Sequence, residues 1–153
     1  MKIKFVLFVL FTILVTFPHL AYSHCQIPCG IYDDSSRVSS MLEDVQTIRK
    51  SVKEMNLLSE KNDVQSKNQF VRWVNNKEKF AQKIIETISD YFLTQRVKAD
   101  QKDYEKRLVK HHKVIVDAMK VKQNSSEKFV DELQKSVEAL AEYYPEHSHE
   151  HKR

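Results

Sequence analysis

Glycine is almost missing from this sequence: Gly30 is the only one among 153 residues. Proline is confined to Pro18, Pro28 and Pro145. Nothing between Ser35 and Tyr144 therefore breaks a helix by composition, no strand pattern competes, and no internal repeat is visible. Cysteine is equally scarce. Cys25 and Cys29 are the only two, and the chain behind them has none, which excludes a disulfide-stapled core. A strong charge of either sign is also lacking. The formal charge is +4, with 25 basic and 21 acidic residues dispersed along the chain. That balance is too weak to argue for a nucleic-acid partner, although a mildly basic surface still attracts a small anion.

The first segment stands apart. Lys2 and Lys4 precede an apolar run from Phe5 to Phe17, and Ala21-Tyr22-Ser23 supplies the small residues a signal peptidase reads. This is the pattern of a secretory signal peptide over residues 1–23. The apolar run is short for a span of roughly 20 residues, so no membrane attachment is expected after cleavage. Cleavage between Ser23 and His24 would place the protein outside the cytoplasm, secreted or periplasmic. Lys2 and Lys4 leave with the leader and no acid does, so the charge falls from +4 to +2. About 130 residues remain, enough for one modest core.

Apolar positions then recur at helical spacing. Val38, Met41, Val45, Ile48, Val52 and Met55 form one stripe and predict a helix from about Ser36 to Leu58, capped by Ser35 or Ser36. A polar break at Ser59–Ser66 follows. Phe70, Trp73, Val74, Phe80, Ile84, Ile88, Tyr91 and Phe92 mark a second helix, with Lys77 on the same stripe. There Lys77 reads as a residue reaching out to water or as a positive charge near a site. A third helix is predicted over about Asp100–Val121. It carries Leu108, Ile115 and Met119 inside, with His111 and His112 on or beside its stripe as partly buried residues. Met41, Met55 and Met119 read as core. Asn124-Ser125-Ser126, formally a glycosylation sequon, reads better as the start of a fourth helix. That helix would turn Phe129, Val130, Leu133, Val137, Leu140 and Tyr144 inward until Pro145 ends it. Four similar helices on short links predict an all-α, antiparallel (up-down) four-helix bundle over residues 33–145. The tail, 146–153, alternates His147, His149 and His151 with polar residues. It cannot build a core, so it is predicted to be disordered and is a candidate to collect metal ions.

The chemistry sits at the start of the processed chain, His24-Cys25-Gln26-Ile27-Pro28-Cys29-Gly30-Ile31-Tyr32. In an oxidising compartment the plain expectation for two cysteines is a disulfide. A bridge across so short a loop ties nothing to the core, which gives a chemical role more weight. Cleavage before His24 frees an α-amine. That amine, the His24 imidazole, the Cys25 amide and two thiolates lie within reach of one another, and Pro28 and Gly30 favour a turn that brings Cys29 back. Two thiolates and two nitrogens suit a square-planar ion such as nickel(II) or copper(II). Zinc prefers tetrahedral sites and has no redox chemistry. Thiolates stabilise an oxidised metal by donating charge, so such a centre suits a small diffusible radical such as superoxide.

The pattern H-C-x-x-P-C-G-x-Y at a processed N-terminus resembles the nickel hook of the nickel-containing superoxide dismutases. His24, Cys25, Pro28, Cys29, Gly30 and Tyr32 match all six fixed positions, and Asp33 fits the continuation. Ser89-Asp90-Tyr91-Phe92 resembles the stretch that ends the family's second helix, and Lys77-Glu78 falls where the family often has the same pair. The resemblance implies that residues 24–32 are an N-terminal metal-binding hook for a nickel ion. His24 would contribute its amine and, in the oxidised state, its imidazole. Cys25 would contribute amide and thiolate, and Cys29 thiolate. Tyr32 would stand by the metal to hold superoxide or water. It also implies a four-helix bundle assembled as a homohexamer. Gln26 departs from the family's usual Asp. The Glu and Arg that often orient the axial His have no clear counterparts, falling near Ser39 and Phe80. The alternative is a secreted helical protein that holds nickel or copper without turnover.

Overall fold

The computed structural model describes residues 33–145. The predicted leader, hook and tail, with His24, Cys25, Cys29 and Tyr32, lie outside the described residues. Among the described residues the chain is all-helical, with no strand. The helices are α1 (Asp34–Leu58), α2 (Val64–Glu86), α3 (Tyr104–Gln123) and α4 (Glu127–Glu138). α2 continues into a π-helical segment, Thr87–Arg96, and α4 is followed by one 3-10 turn, Ala141–Tyr143.

Each helix forms for reasons visible in its sequence. The α1 stripe buries Val38, Met41, Val45, Ile48, Val52 and Met55. Two polar residues share that stripe: Ser51 donates to the Thr47 carbonyl, and Asp44 accepts from Lys83 at 2.8 Å through Oδ1, while its Oδ2 is buried without a partner. Opposite lie Ala81, Ile84, Ile88 and Phe92, then Val114, Ala118 and Val121 of α3, and Val130, Leu133 and Val137 of α4. α1 packs on α2 and α4, and α3 packs on the same two, so the four helices enclose one core. A fully buried side chain of this size contributes about 1.5–3 kcal/mol.

The boundaries differ from the sequence reading in four places. α1 starts at Asp34, because Asp33 rather than Ser35 or Ser36 is the cap; its side chain accepts from the Ser35 amide at 3.0 Å. Asp63 does the same for α2 by accepting from Ser66, which shortens the polar break. α3 begins at Tyr104 instead of Asp100. α4 ends at Glu138, and the chain tightens to a 3-10 turn before Tyr144, a common way to finish a helix. Ser126 is the α4 cap, as the sequence suggested. Asn124 instead closes α3, and its side chain donates to the Lys120 carbonyl. Met119 is not core: it is 40% exposed, because His111, Val114, Ala118 and Val121 form the inner face of α3 and Met119 lies beside them.

Candidate functional site

The predicted hook ligands lie outside the described residues. The platform that follows them in sequence is the first turn of α1. The Asp34 carboxylate accepts from the Tyr91 hydroxyl with one oxygen and from Arg96 with the other, Nε at 2.8 Å and Nη2 closer still. Tyr91 and Arg96 are five residues apart. In an α-helix they would point about 140° from each other. The wider π-helical turn over Thr87–Arg96 brings both to Asp34. Arg96 is held charged by that carboxylate, and burial, helped by Asp34, raises the Tyr91 hydroxyl above the usual phenol range. The Arg37 guanidinium stacks 4.0 Å from the Tyr91 ring centroid. Arg37 has no carboxylate in ion-pair range among the described residues, and its Nε is buried without a partner.

The network continues inward through rings. Tyr91 meets Phe92 edge-on at 5.2 Å, and Phe92 lies 4.6 Å from Tyr144 and 5.6 Å from His111. His111 is fully buried. Its Nδ1 lies 2.7 Å from the Arg107 carbonyl, which only accepts, so Nδ1 carries the proton. Nε2 then accepts from the Tyr144 hydroxyl at 2.9 Å. Burial pushes the imidazole below its ordinary pKa and the Tyr144 phenol well above its own. His111 is therefore a neutral structural residue with both nitrogens occupied, more deeply buried than the sequence implied, whereas His112 is exposed.

Three consecutive residues strap the end of the described chain to α3. Glu142 pairs with Lys110, the Arg107 guanidinium lies 4.1 Å from the Tyr143 ring centroid, and Tyr144 bonds His111. Tyr144 also lies in the field of Asp34 and Arg96. The start of α1 and the last described residues are thus at the same end.

Lys77 is elsewhere, about 20 Å along its helix from Tyr91. It is 3% exposed, and its Nζ donates to the carbonyls of Val121 at 2.8 Å and Lys122 at 2.6 Å and pairs with Glu78. It caps the C-terminal end of α3, so it neither reaches out to water nor stands beside the α1 platform. No group of three or more His, Cys, Asp or Glu among the described residues could hold a metal. Sequence reasoning missed Asp34, Arg37, Arg96 and the Tyr144–His111 bond. Only the Ser89–Phe92 stretch pointed towards this end.

A sequence model of the family described as nickel-containing superoxide dismutase matches residues 19–148, which takes in residues 24–32 and all the described helices. Neither the curated proteins nor the solved structures supply a match.

Proposed function

The chain belongs to the nickel-containing superoxide dismutase family, and from that premise we propose that His24, Cys25 and Cys29 hold its nickel. The protein is a nickel-dependent superoxide dismutase: two superoxide ions and two protons give one dioxygen and one hydrogen peroxide. Nothing observed favours a helical protein that binds nickel or copper without turnover.

The donor set fits the metal. Both thiols precede the bundle in sequence, and the described residues offer no competing metal cluster. Nickel bound there supplies a one-electron couple, brought into a mild range by thiolate donation. His24 would offer its α-amine and imidazole, Cys25 its amide nitrogen and thiolate, and Cys29 its thiolate. The Tyr32 hydroxyl would hold superoxide or water by hydrogen bonding. Asp34, clamped by Tyr91 and Arg96, fixes where the hook leaves α1. Arg37, without a carboxylate partner among the described residues, leaves positive charge at that end, which favours the approach of an anion.

The free amine requires processing between Ser23 and His24, which implies export by a signal peptide to a secreted or periplasmic location. An up-down arrangement of the bundle is supported by short links and by Lys77 of α2 meeting the last turn of α3. Assembly as a homohexamer rests on the family resemblance, and the exposed Val64 and Val71 leave apolar surface for neighbours.

The observation that carries this reading is the complete hook pattern inside the family match. It is tested by sequencing the mature N-terminus and by adding one residue before His24. The native protein should begin at His24. The extended one should keep its helix content and lose nickel and activity. A mature chain that begins elsewhere, or an active extended variant, would sink the amine ligand.

A further inference from the structure

We propose that Tyr144 and His111 form a redox-active pair, in which Tyr144 gives one electron to a peroxide-derived radical and its phenolic proton moves to His111. The oxidising equivalent then rests on Tyr144 as a neutral tyrosyl radical. Peroxide-derived radicals are the class of oxidant that the product of superoxide dismutation gives rise to when it meets a one-electron donor. The pair lies wholly inside the bundle, so it does not depend on the hook reading. A phenol is hard to oxidise unless its proton has somewhere to go, because the radical cation left behind is a very strong acid. Tyr144 meets that need. It is buried, and its hydroxyl donates to His111 Nε2 at 2.9 Å. The His111 Nδ1–H in turn donates to the Arg107 carbonyl at 2.7 Å. When Nε2 takes the proton, the imidazole becomes a cation, and a carbonyl already bonded to Nδ1–H stabilises it. Burial and the Arg107 charge hold His111 below its ordinary pKa, which opposes the transfer. The acidity of a phenol radical cation outweighs that opposition. Loss of the proton before oxidation is closed at neutral pH, since burial pushes the Tyr144 phenol well above its ordinary value.

The surrounding rings give the oxidising equivalent a way in and make Tyr144 its low point. The ring of half-buried Tyr143 lies 6.4 Å from that of Tyr144, and Phe92 lies 4.6 Å from Tyr144 and 5.2 Å from Tyr91. Electrons cross such gaps between rings readily. Both flanking tyrosines carry cations near the ring. Arg107 and Lys110 lie 4.1 and 5.1 Å from the Tyr143 centroid, and Arg37 and Arg96 lie 4.0 and 5.9 Å from that of Tyr91. A cation over the ring favours the electron-rich phenol and so disfavours removal of an electron. At the Tyr144 hydroxyl the charges are mixed in sign, Arg107 and Arg96 against Asp34. In sum, Tyr144, neutral His111 and the oxidant give the Tyr144 radical, the His111 imidazolium and the oxidant reduced by one electron. A small thiolate reverses the step: it supplies the electron and becomes a thiyl radical, and the proton returns from His111 to Tyr144.

The test oxidises the full chain with azide radicals, a one-electron probe, and reads the product by rapid-freeze electron paramagnetic resonance. Indole and thiol radicals differ from tyrosyl in their spectra, so Trp73, Cys25 and Cys29 do not confuse the reading. The native chain should give a neutral tyrosyl signal coupled to a hydrogen-bonded proton that exchanges in deuterated water. Absence of that signal overturns the proposal without any substitution, which covers the case in which Tyr144→Phe does not fold. Tyr144→Phe, with helix content checked by circular dichroism, should lose the signal, whereas Tyr91→Phe and Tyr143→Phe should keep it. A signal that survives Tyr144→Phe places the radical elsewhere and overturns the pair. His111→Gln can still accept the Tyr144 hydrogen bond but cannot take the proton. It should lose the tyrosyl signal that Tyr144 carries, and an unchanged yield would remove His111 from the step.

Discussion

The end of the bundle where α1 begins and the end where it finishes differ in kind. α1 is about 37 Å long, so the two ends are well separated. At the first, Asp34, Tyr91, Arg96, His111 and Tyr144 form a continuous run of hydrogen bonds and ring contacts. At the other, Leu57 is 68% exposed, Val64 84% and Val71 56%, on helices joined by a short polar link. Buried polar networks specify one arrangement when fully satisfied, and exposed aliphatic residues specify little. The ordered end holds the first turn of α1 and the last described residues in one network, while the other end leaves aliphatic side chains uncovered.

The sharpest way to break that division is to remove the metal donors. Cys25→Ser or Cys29→Ser should abolish dismutase activity while helix content by circular dichroism stays the same, because both residues precede the first helix in sequence. Loss of the fold along with activity would make the pair a structural bridge. His24→Gln should come next. The amine, amide and thiolates remain, so nickel content should stay near one per chain. Losing a group that acts in only one half of the cycle should lower turnover by about two orders of magnitude. Full activity in this variant would remove His24 imidazole from the reaction.

The ordered end is tested at His111. His111→Phe keeps the ring packing but strands the buried Tyr144 hydroxyl, which should cost about 1–3 kcal/mol. It should also change the pH dependence. Burial lowers the folded-state pKa of His111 from 6.5, so the unfolded chain takes up a proton first as pH falls. The contribution is full above about pH 6.5 and is lost as the pH drops through the window below it. Thermal unfolding of the native chain should therefore fall over pH 6.5 to 5 more steeply than that of His111→Phe. Parallel curves would mean that His111 is not held neutral. Lys77→Met should cost about 2 kcal/mol, since two carbonyls at the end of α3 lose a charged donor. The salt dependence of superoxide dismutation should not change, because Lys77 is bonded away from the α1 platform.

Much of this was legible in the sequence, and the rest was hidden for physical reasons. The α1 stripe from Val38 to Met55 was readable because six apolar residues at a period of three or four leave one solution. The hook could be proposed from sequence because its candidate donors are local in sequence. Asp33 as cap was missed because Asp, Asp, Ser and Ser stand in a row and any of them can cap; packing decided. The Asp34–Tyr91–Arg96 clamp joins residues more than fifty apart and depends on a π-helical turn, which has no compositional mark. Lys77 looked like a half-exposed cation because burial of a lysine depends on the carbonyls it finds, and those lie on another helix. Met119 looked like core because α3 is apolar on more than one face, and periodicity cannot say which face turns inward.

The smallest effect should come from the other end. Val64→Ser and Val71→Ser remove methyl groups that already face water in a single chain. Little apolar surface is lost on folding, so each should shift unfolding by no more than about 0.5 kcal/mol. Val64 directly follows the Asp63 cap and Val71 lies two turns later, and neither substitution disturbs that cap. The value of the experiment lies in its concentration dependence. If these valines face solvent in the working protein, dilution should affect native and variant alike. If they pack against a neighbouring copy, the double variant should dissociate at concentrations where the native protein stays assembled, as seen by sedimentation, while single-chain helix content holds. That outcome would move the exposed end into an interface and confine the contrast between the two ends to the isolated chain.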